Sequence, residues 1–230
     1  MSHDYPGTDL EAMAFAHNYH RWIRDRFRPY LGRRVAEVGA GLGDFSQLLL
    51  DAGIEELDCY EPSAELNERL RRRFNGDPRV RVVGDTFLGS PPRHGLDTVL
   101  YINVLEHIAD DQLELANACG TLRQGGHLCV FVPALRWLYG EQDRRVGHFR
   151  RYRRRELLDR VRRAGFNVVE CRWFDIAGVL PWWFSYRLLG RSVTPGAVGL
   201  YDRFVVPVMR RIESAVPPPV GKNLLLVARA

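Results

Sequence analysis

Between Arg34 and Arg229, short β-branched or apolar runs alternate with stretches of helical periodicity, and this alternation restricts the fold more than any other feature of the chain. Strand patterns run over Arg34 to Val38, Glu56 to Tyr60, Val80 to Val83, Thr98 to Ile102, His127 to Val132, Asn167 to Phe174 and Asn223 to Arg229. Helix patterns lie between them, over Asp44 to Ala52, Ser63 to Phe74, Asp111 to Arg123 and Arg154 to Ala164. Crossovers of this length suit right-handed βαβ units, which predicts an α/β fold with a parallel sheet covered on both faces. The last two strands break the rhythm. About fifty residues separate Phe174 from Asn223, rich in aromatics, and predict two further helices, Ile176 to Leu189 and Val198 to Ala215. An amphipathic helix from Asp9 to Arg28 precedes the first strand, with Leu10, Met13, Phe15, Ala16, Tyr19, Ile23 and Phe27 on one broad face, and Pro29 ends it.

With 230 residues, 46% of them hydrophobic and no linker-like stretch, one domain is expected. The longest mainly apolar run, Ile176 to Phe184, is about half of what a bilayer needs and contains Gly178 and Pro181, so no transmembrane helix is expected. The start of the chain lacks a basic segment followed by an apolar run, which argues against secretion. Cys59, Cys119, Cys129 and Cys171 stand singly, without the spacing of a zinc site or a disulfide framework, and read as buried thiols of a cytoplasmic protein that needs no metal. The formal charge is +5, and Lys222 is the sole lysine among 33 basic residues. From Pro133 to Gly165 eleven arginines face four acids, a local +7 that leaves the remainder at about −2.

The segment Arg34-Val-Ala-Glu-Val-Gly-Ala-Gly-Leu-Gly-Asp-Phe passes from a strand through Gly39, Gly41 and Gly43 into a helix. Such a turn lets a ligand lie against bare backbone at a helix N-terminus. It departs from the dinucleotide fingerprint, because the third glycine comes one residue early and Asp44 follows it. An acid in the first helical turn repels a diphosphate, which points to a cationic or zwitterionic ligand. Glu61 ends the second strand, where a carboxylate can accept from both hydroxyls of a ribose, and Asp85 follows the third, where one can accept from an exocyclic amine. Glu37 places a charge inside the first strand, costly to bury unpaired and open to compensation by a ligand ammonium or by an arginine.

Val35 to Phe45, Cys59 to Ser63, Gly84 to Thr86, Leu96 to His107 and Leu122 to Val132 together resemble the successive motifs of class I S-adenosylmethionine-dependent methyltransferases, in order and at their usual spacing. The resemblance implies a Rossmann-like sheet of seven strands, the last antiparallel and inserted beside the fifth. It implies S-adenosylmethionine as cofactor and S-adenosylhomocysteine as product. It places Glu37 and the Gly39, Ala40, Gly41 and Gly43 backbone at the methionine part, Glu61 and Pro62 at the ribose, Asp85 with Thr86 at the adenine, and Asn103 and Val104 beside the sulfonium. The chain then divides into an N-terminal helical lid (1–30), a cofactor-binding core (31–174), a helical cap (175–221) and the last strand (222–230). A lid across the cofactor mouth makes Tyr19 a cofactor contact; the competing reading buries it in the core.

An acceptor site belongs on loops beyond the strand ends. The long segment Pro133 to Tyr152 follows the fifth strand, and its Gly147-His148-x-Arg150-Arg151-Tyr152 pattern resembles that of family members acting on small molecules or lipid-linked metabolites. His148 is the first candidate for a general base and His107 the second. Arg144, Arg145, Arg150 and Arg151 are candidates to clamp a carboxylate or phosphate, with Tyr139, Tyr152 and Trp182 lining the acceptor. The alternative has Glu141 and Asp143 pairing with these arginines to fix the loop. The aromatics of Trp173 to Leu189 can line a pocket, pack on the sheet, form a dimer interface or rest on a lipid surface. The expected function is methylation of an oxygen, or less readily a nitrogen, of a small acidic or partly apolar metabolite by a monomer or homodimer. Non-methylating chemistry in the same pocket, a nicotinamide dehydrogenase and an RNA methyltransferase are the alternatives. Nucleic acid is disfavoured because no appended RNA-binding module is recognisable.

Overall fold

The computed structural model describes residues 16–90, 95–188 and 194–230. Residues 9–15 of the predicted first helix and Arg191 lie outside them.

Seven strands form one sheet in the order β3-β2-β1-β4-β5-β7-β6. These are β1 Arg34–Val38, β2 Glu56–Tyr60, β3 Val80–Val83, β4 Leu96–Ile102, β5 Leu122–Pro133, β6 Asn167–Phe174 and β7 Asn223–Arg229. All pairings from β3 across to β5 are parallel, whereas β7 runs antiparallel between β5 and β6. The expected insertion of the last strand is thus observed. Its sequence explains the position, since Leu224, Leu226 and Ala228 enter the core on one face of the sheet while Leu225 and Val227 enter that on the other.

The helices are α1 His17–Phe27, α2 Asp44–Asp51, α3 Ala64–Arg73, α4 Asp111–Thr121, α5 Glu141–Arg145, α6 Arg154–Arg163, α7 Val179–Trp182, α8 Pro195–Leu200 and α9 Val206–Ala215, with π-helical turns at Trp183–Leu188 and Tyr201–Val205. Ser63 and Asp110 cap α3 and α4 through their side chains, as their residue types favour. Helix α4 ends earlier than expected. Leu122 pairs with Leu96 instead, which lengthens both β4 and β5 across a register irregularity.

The described part of the N-terminal helix packs into the core. Tyr19, Trp22, Ile23 and Phe27 of α1 are buried in the cluster built by Phe45, Leu49, Phe131, Phe174 and Val206, so the helix is a wall of the core. The cap residue that α1 lacks locally comes from the far end of the chain, where Asp202 accepts from the backbone N–H groups of Asn18 (3.0 Å) and Tyr19 (2.8 Å).

Candidate active site

Strands β1, β2, β4, β5 and β6 point their C-terminal ends the same way, and the chain is locally unusual at that edge. Gly39, Gly41 and Gly43 have φ of +73°, +54° and +81°, a region that favours glycine. A Cβ on Gly39 would stand 2.4 Å from Val104, and one on Gly43 2.7 Å from both Leu70 and Phe74, so packing as well as backbone conformation requires them. Asn103, Leu135 and Asp175, just past β4, β5 and β6, also adopt positive φ. Strain of this kind gathers where a fold positions groups for function.

The three predicted cofactor acids lie along this edge. Glu37 is buried with its carboxylate taking a hydrogen bond from Ser46 Oγ (2.5 Å). Burial pushes its carboxyl up to about 8, although the Ser46 hydroxyl and the charge of Arg73 oppose this. Glu61 accepts from Gly41 N (2.9 Å) and Ser63 N (2.9 Å), fastening the end of β2 to the glycine turn, and burial raises its carboxyl against those two bonds. Asp85 accepts from Thr86 N (2.7 Å) and Ser90 Oγ (3.0 Å). A buried, desolvated carboxylate beside bare backbone and two further acids is an acceptor set that fits an ammonium, a ribose and an adenine amine. One step of the sequence argument changes. Asp44 is paired with Arg73 (2.7 Å), so its charge is neutralised and does not by itself exclude a phosphate.

Tyr19 belongs to the core and not to the cofactor mouth. Its ring meets Trp22, Phe131 and Phe174 edge-on, while its hydroxyl donates to Asp175 (3.1 Å) and accepts from Asn223 (2.6 Å). Asp175 is a hub that sequence inspection missed. Fully buried, it also binds Tyr201, Lys222 and Gly178 N, joining α1, the cap and the end of β6.

Each of the four arginines proposed as a clamp has a partner within the chain. Arg151 is buried with its Nε on Asp143 (2.7 Å) and its guanidinium stacked 4.7 Å over Trp182. Arg150 donates to the carbonyls of Ile108 (2.9 Å) and Ala109 (2.8 Å) and pairs with Asp111. Arg144 and Arg145 both reach Glu141. Tyr152 is fully buried, donating to Asp111 (2.6 Å) and Leu105 O (3.2 Å). Tyr139 donates to His148 O (2.8 Å). The GHxRRY segment therefore holds its own loop together, because a guanidinium or phenol buried this deeply needs an internal partner.

What that scaffold holds is His148. Its Nδ1 lies 2.9 Å from Asp143 Oδ1, the oxygen that also takes the Arg151 bond. Burial pushes the Asp143 carboxyl up, but the His148 hydrogen bond and the Arg151 charge outweigh it and hold it below its usual range. An ionised Asp143 takes the hydrogen bond of Nδ1–H and so turns the other ring nitrogen, Nε2, away from itself. Nε2 faces Glu106 Oε1 at 3.8 Å, and the His107 ring stands edge-on to His148 at 4.6 Å between centroids. Burial pushes Glu106 up to about 7, with His148 and Arg151 pulling the other way. Burial and the neighbouring His148 lower His107 to about 4, so it is neutral. The two catalytic candidates are thus neighbours, joined by a carboxylate that sequence reasoning passed over. Its only signal was an acid inside the apolar run Val104-Leu-Glu-His-Ile.

The fold and the acid-lined glycine turn define the class, that of S-adenosylmethionine-dependent methyltransferases with a Rossmann-like sheet. A family model described as "Methyltransferase domain" matches residues 14–171, more than two thirds of the chain, and the chain belongs to that family. The family implies S-adenosylmethionine as the methyl donor. Among solved structures, a chain of the complex between the Haloferax volcanii Trm112 methyltransferase activator and its methyltransferase partner is 18% identical, with a TM-score of 0.67 over 96% of this chain and 95% of that one. An S-adenosylmethionine-dependent methyltransferase of Thermotoga maritima is 20% identical (TM-score 0.63, 96% and 94% covered). The [4+2]-cyclase SpnF is 18% identical (TM-score 0.63, 93% and 80% covered). No curated protein sequence matches.

Proposed function

We propose that the protein transfers a methyl group from S-adenosylmethionine to an oxygen of a small, partly apolar acceptor. The observation that carries this reading is the Asp143–His148 pair, which orients Nε2 toward the cluster beyond β4. The bound cofactor supplies an electrophilic methyl on a sulfonium. This chain's share is to hold the cofactor through Glu37, the glycine turn, Glu61 and Asp85, and to take the acceptor's proton at Nε2 of His148, kept in its tautomer by Asp143. An anionic acceptor loses support at Arg150 and Arg151, which are held by Asp111, Asp143 and backbone carbonyls, whereas Arg144 and Arg145 make only exposed pairs with Glu141. The apolar side gains it from the exposed aliphatic and aromatic residues of the cap. RNA loses support for the same reason as the anion.

The test is turnover and binding together. His148→Ala should lose turnover by about 100-fold or more while S-adenosylhomocysteine affinity is kept; unchanged turnover would remove the base assignment. No binding of S-adenosylhomocysteine at millimolar concentration would remove the reading altogether. Chemistry other than methylation stays as the second reading because the cyclase SpnF shares the fold, and detection of methylated product separates the two.

A further inference from the structure

Glu106 is the one buried carboxylate near the strand ends whose company does not account for it. It has no exposed surface, and neither carboxylate oxygen accepts a hydrogen bond from another described residue. A buried acid without hydrogen-bond partners keeps a desolvation penalty that the nearby charges of His148 and Arg151 only partly offset, and a ligand can complete it. The neighbours that could share a ligand with it are both imidazoles. One donor atom each from Glu106, His107 and His148 lie within 4.8 Å of one another.

We propose that Glu106, His107 and His148 bind a divalent transition-metal ion of borderline hardness, such as zinc or cobalt, with at least one coordination position left open toward the acceptor. Two imidazoles and one carboxylate are a ligand set that such ions accept in open sites. Ligand atoms about 2.1 Å from a tetrahedral ion are about 3.4 Å apart, so the 3.8 Å between His148 Nε2 and Glu106 Oε1 needs only a slight contraction. The surroundings are those of metal ligands. A ligating histidine usually donates its second ring N–H to a carboxylate or carbonyl, which fixes the ring and makes it a better donor. His148 Nδ1 meets Asp143, itself held by Arg151, and the His107 ring is hydrogen-bonded to the Gly147 backbone.

Backbone bonds hold the three ligands together without the ion. Glu106 and His107 sit in one 3-10 turn after β4, and Phe149 N donates to Glu106 O (2.9 Å), tying the His148 loop to that turn. Arg151, 2% exposed, pairs directly with Asp143, while Glu106 has no hydrogen bond from it. The assignment reverses the expectation of a metal-free protein drawn from the cysteines, because those residues take no part.

The inference bears on the proposed methyl transfer by offering a Lewis acid at the acceptor hydroxyl in place of a free imidazole base. In the loaded protein Nε2 would be a ligand and no longer a base, the charge of the ion would lower the hydroxyl's pKa, and the proton would leave to solvent before the oxygen takes the methyl group. Its test needs no turnover. Tag-free full-length protein, stripped with chelator, is dialysed against zinc and separately titrated with cobalt. We expect one equivalent of zinc bound and a visible cobalt absorption band of a nitrogen and oxygen site. Glu106→Gln and His148→Ala should each weaken binding by about 10-fold or more, whereas His17→Ala leaves it unchanged. Melting curves in chelator show which variants fold, and His107→Ala replaces any that does not. Sub-stoichiometric binding, or binding that survives all three substitutions, overturns the site while leaving S-adenosylhomocysteine binding and methyl transfer to be judged separately.

Discussion

Glu37 shows how a single buried acid, proposed above to hold the cofactor, sets a pH dependence of stability. Its carboxyl is raised from 4.5 to about 8, so between those values the folded chain keeps a proton that the unfolded chain has lost. Stability therefore falls as pH rises through that window, the reverse of a carboxylate stabilised by an ion pair. Glu37→Gln should melt higher than the wild-type chain near pH 8, with the gap closing toward pH 5, in a thermal series across that range. A ligand ammonium restores the ionised form, so S-adenosylhomocysteine binding at pH 7 should release about one proton. Calorimetry in two buffers of different ionisation enthalpy measures this, and the Gln variant should show no release and weaker binding. The residue's type and place were legible in the sequence, because an acid inside a strand otherwise made of Val and Ala calls for a partner. Its Ser46 contact was not, since Ser46 lies on the next helix in an orientation that only packing sets.

At the scale of elements, α1 and the cap are one unit. The periodicity of α1 announced an amphipathic helix, but what its apolar face meets could not be read locally. Asp202 closes the start of α1, while Glu213 accepts from the backbone of Asp175 (3.1 Å) and Ile176 (2.9 Å). Long-range carboxylates replace the local caps that helix-start rules look for. Asp202→Ala should cost about 1–2 kcal/mol in chemical denaturation, in the range of a lost N-cap. A value near zero would show that the α1 terminus is satisfied otherwise.

Across the whole molecule, the cap leaves an apolar stripe uncovered. Leu180, Phe184 and Leu188, then Leu200, Phe204, Val208, Ile212 and Val216, follow at steps of four residues, each more than half exposed. Exposed Arg203 and Arg211 lie on the same helical run. No described helix is long and apolar enough to cross a membrane. A surface of this kind suits a lipid interface, which would bring an apolar acceptor to the cap. Co-sedimentation with phosphatidylglycerol vesicles should retain the wild-type protein and lose several-fold of the Phe204→Asp, Val208→Asp double variant. Equal retention of both, or a dimer by gel filtration that the same changes dissolve, would assign the stripe to protein contact.

The alternation of strand and helix patterns determined a parallel α/β sheet, and the glycine turn with the spaced acids Glu37, Glu61 and Asp85 carried the family resemblance that implied the place of the last strand. Each of these is a local pattern repeated along the chain, and parallel βαβ geometry leaves little freedom in assembling such units. What the acceptor side does was decided only in three dimensions. Arg144, Arg145, Arg150 and Arg151 read as a clamp for an anion, whereas in the fold Arg150 and Arg151 are held by Asp111 and Asp143 and the two exposed ones pair with Glu141. His107, His148 and Glu106 became a cluster because two loops were brought against one strand end. Composition records that a charge is present; whether it faces solvent, a ligand or another residue depends on what the tertiary fold places within reach of it.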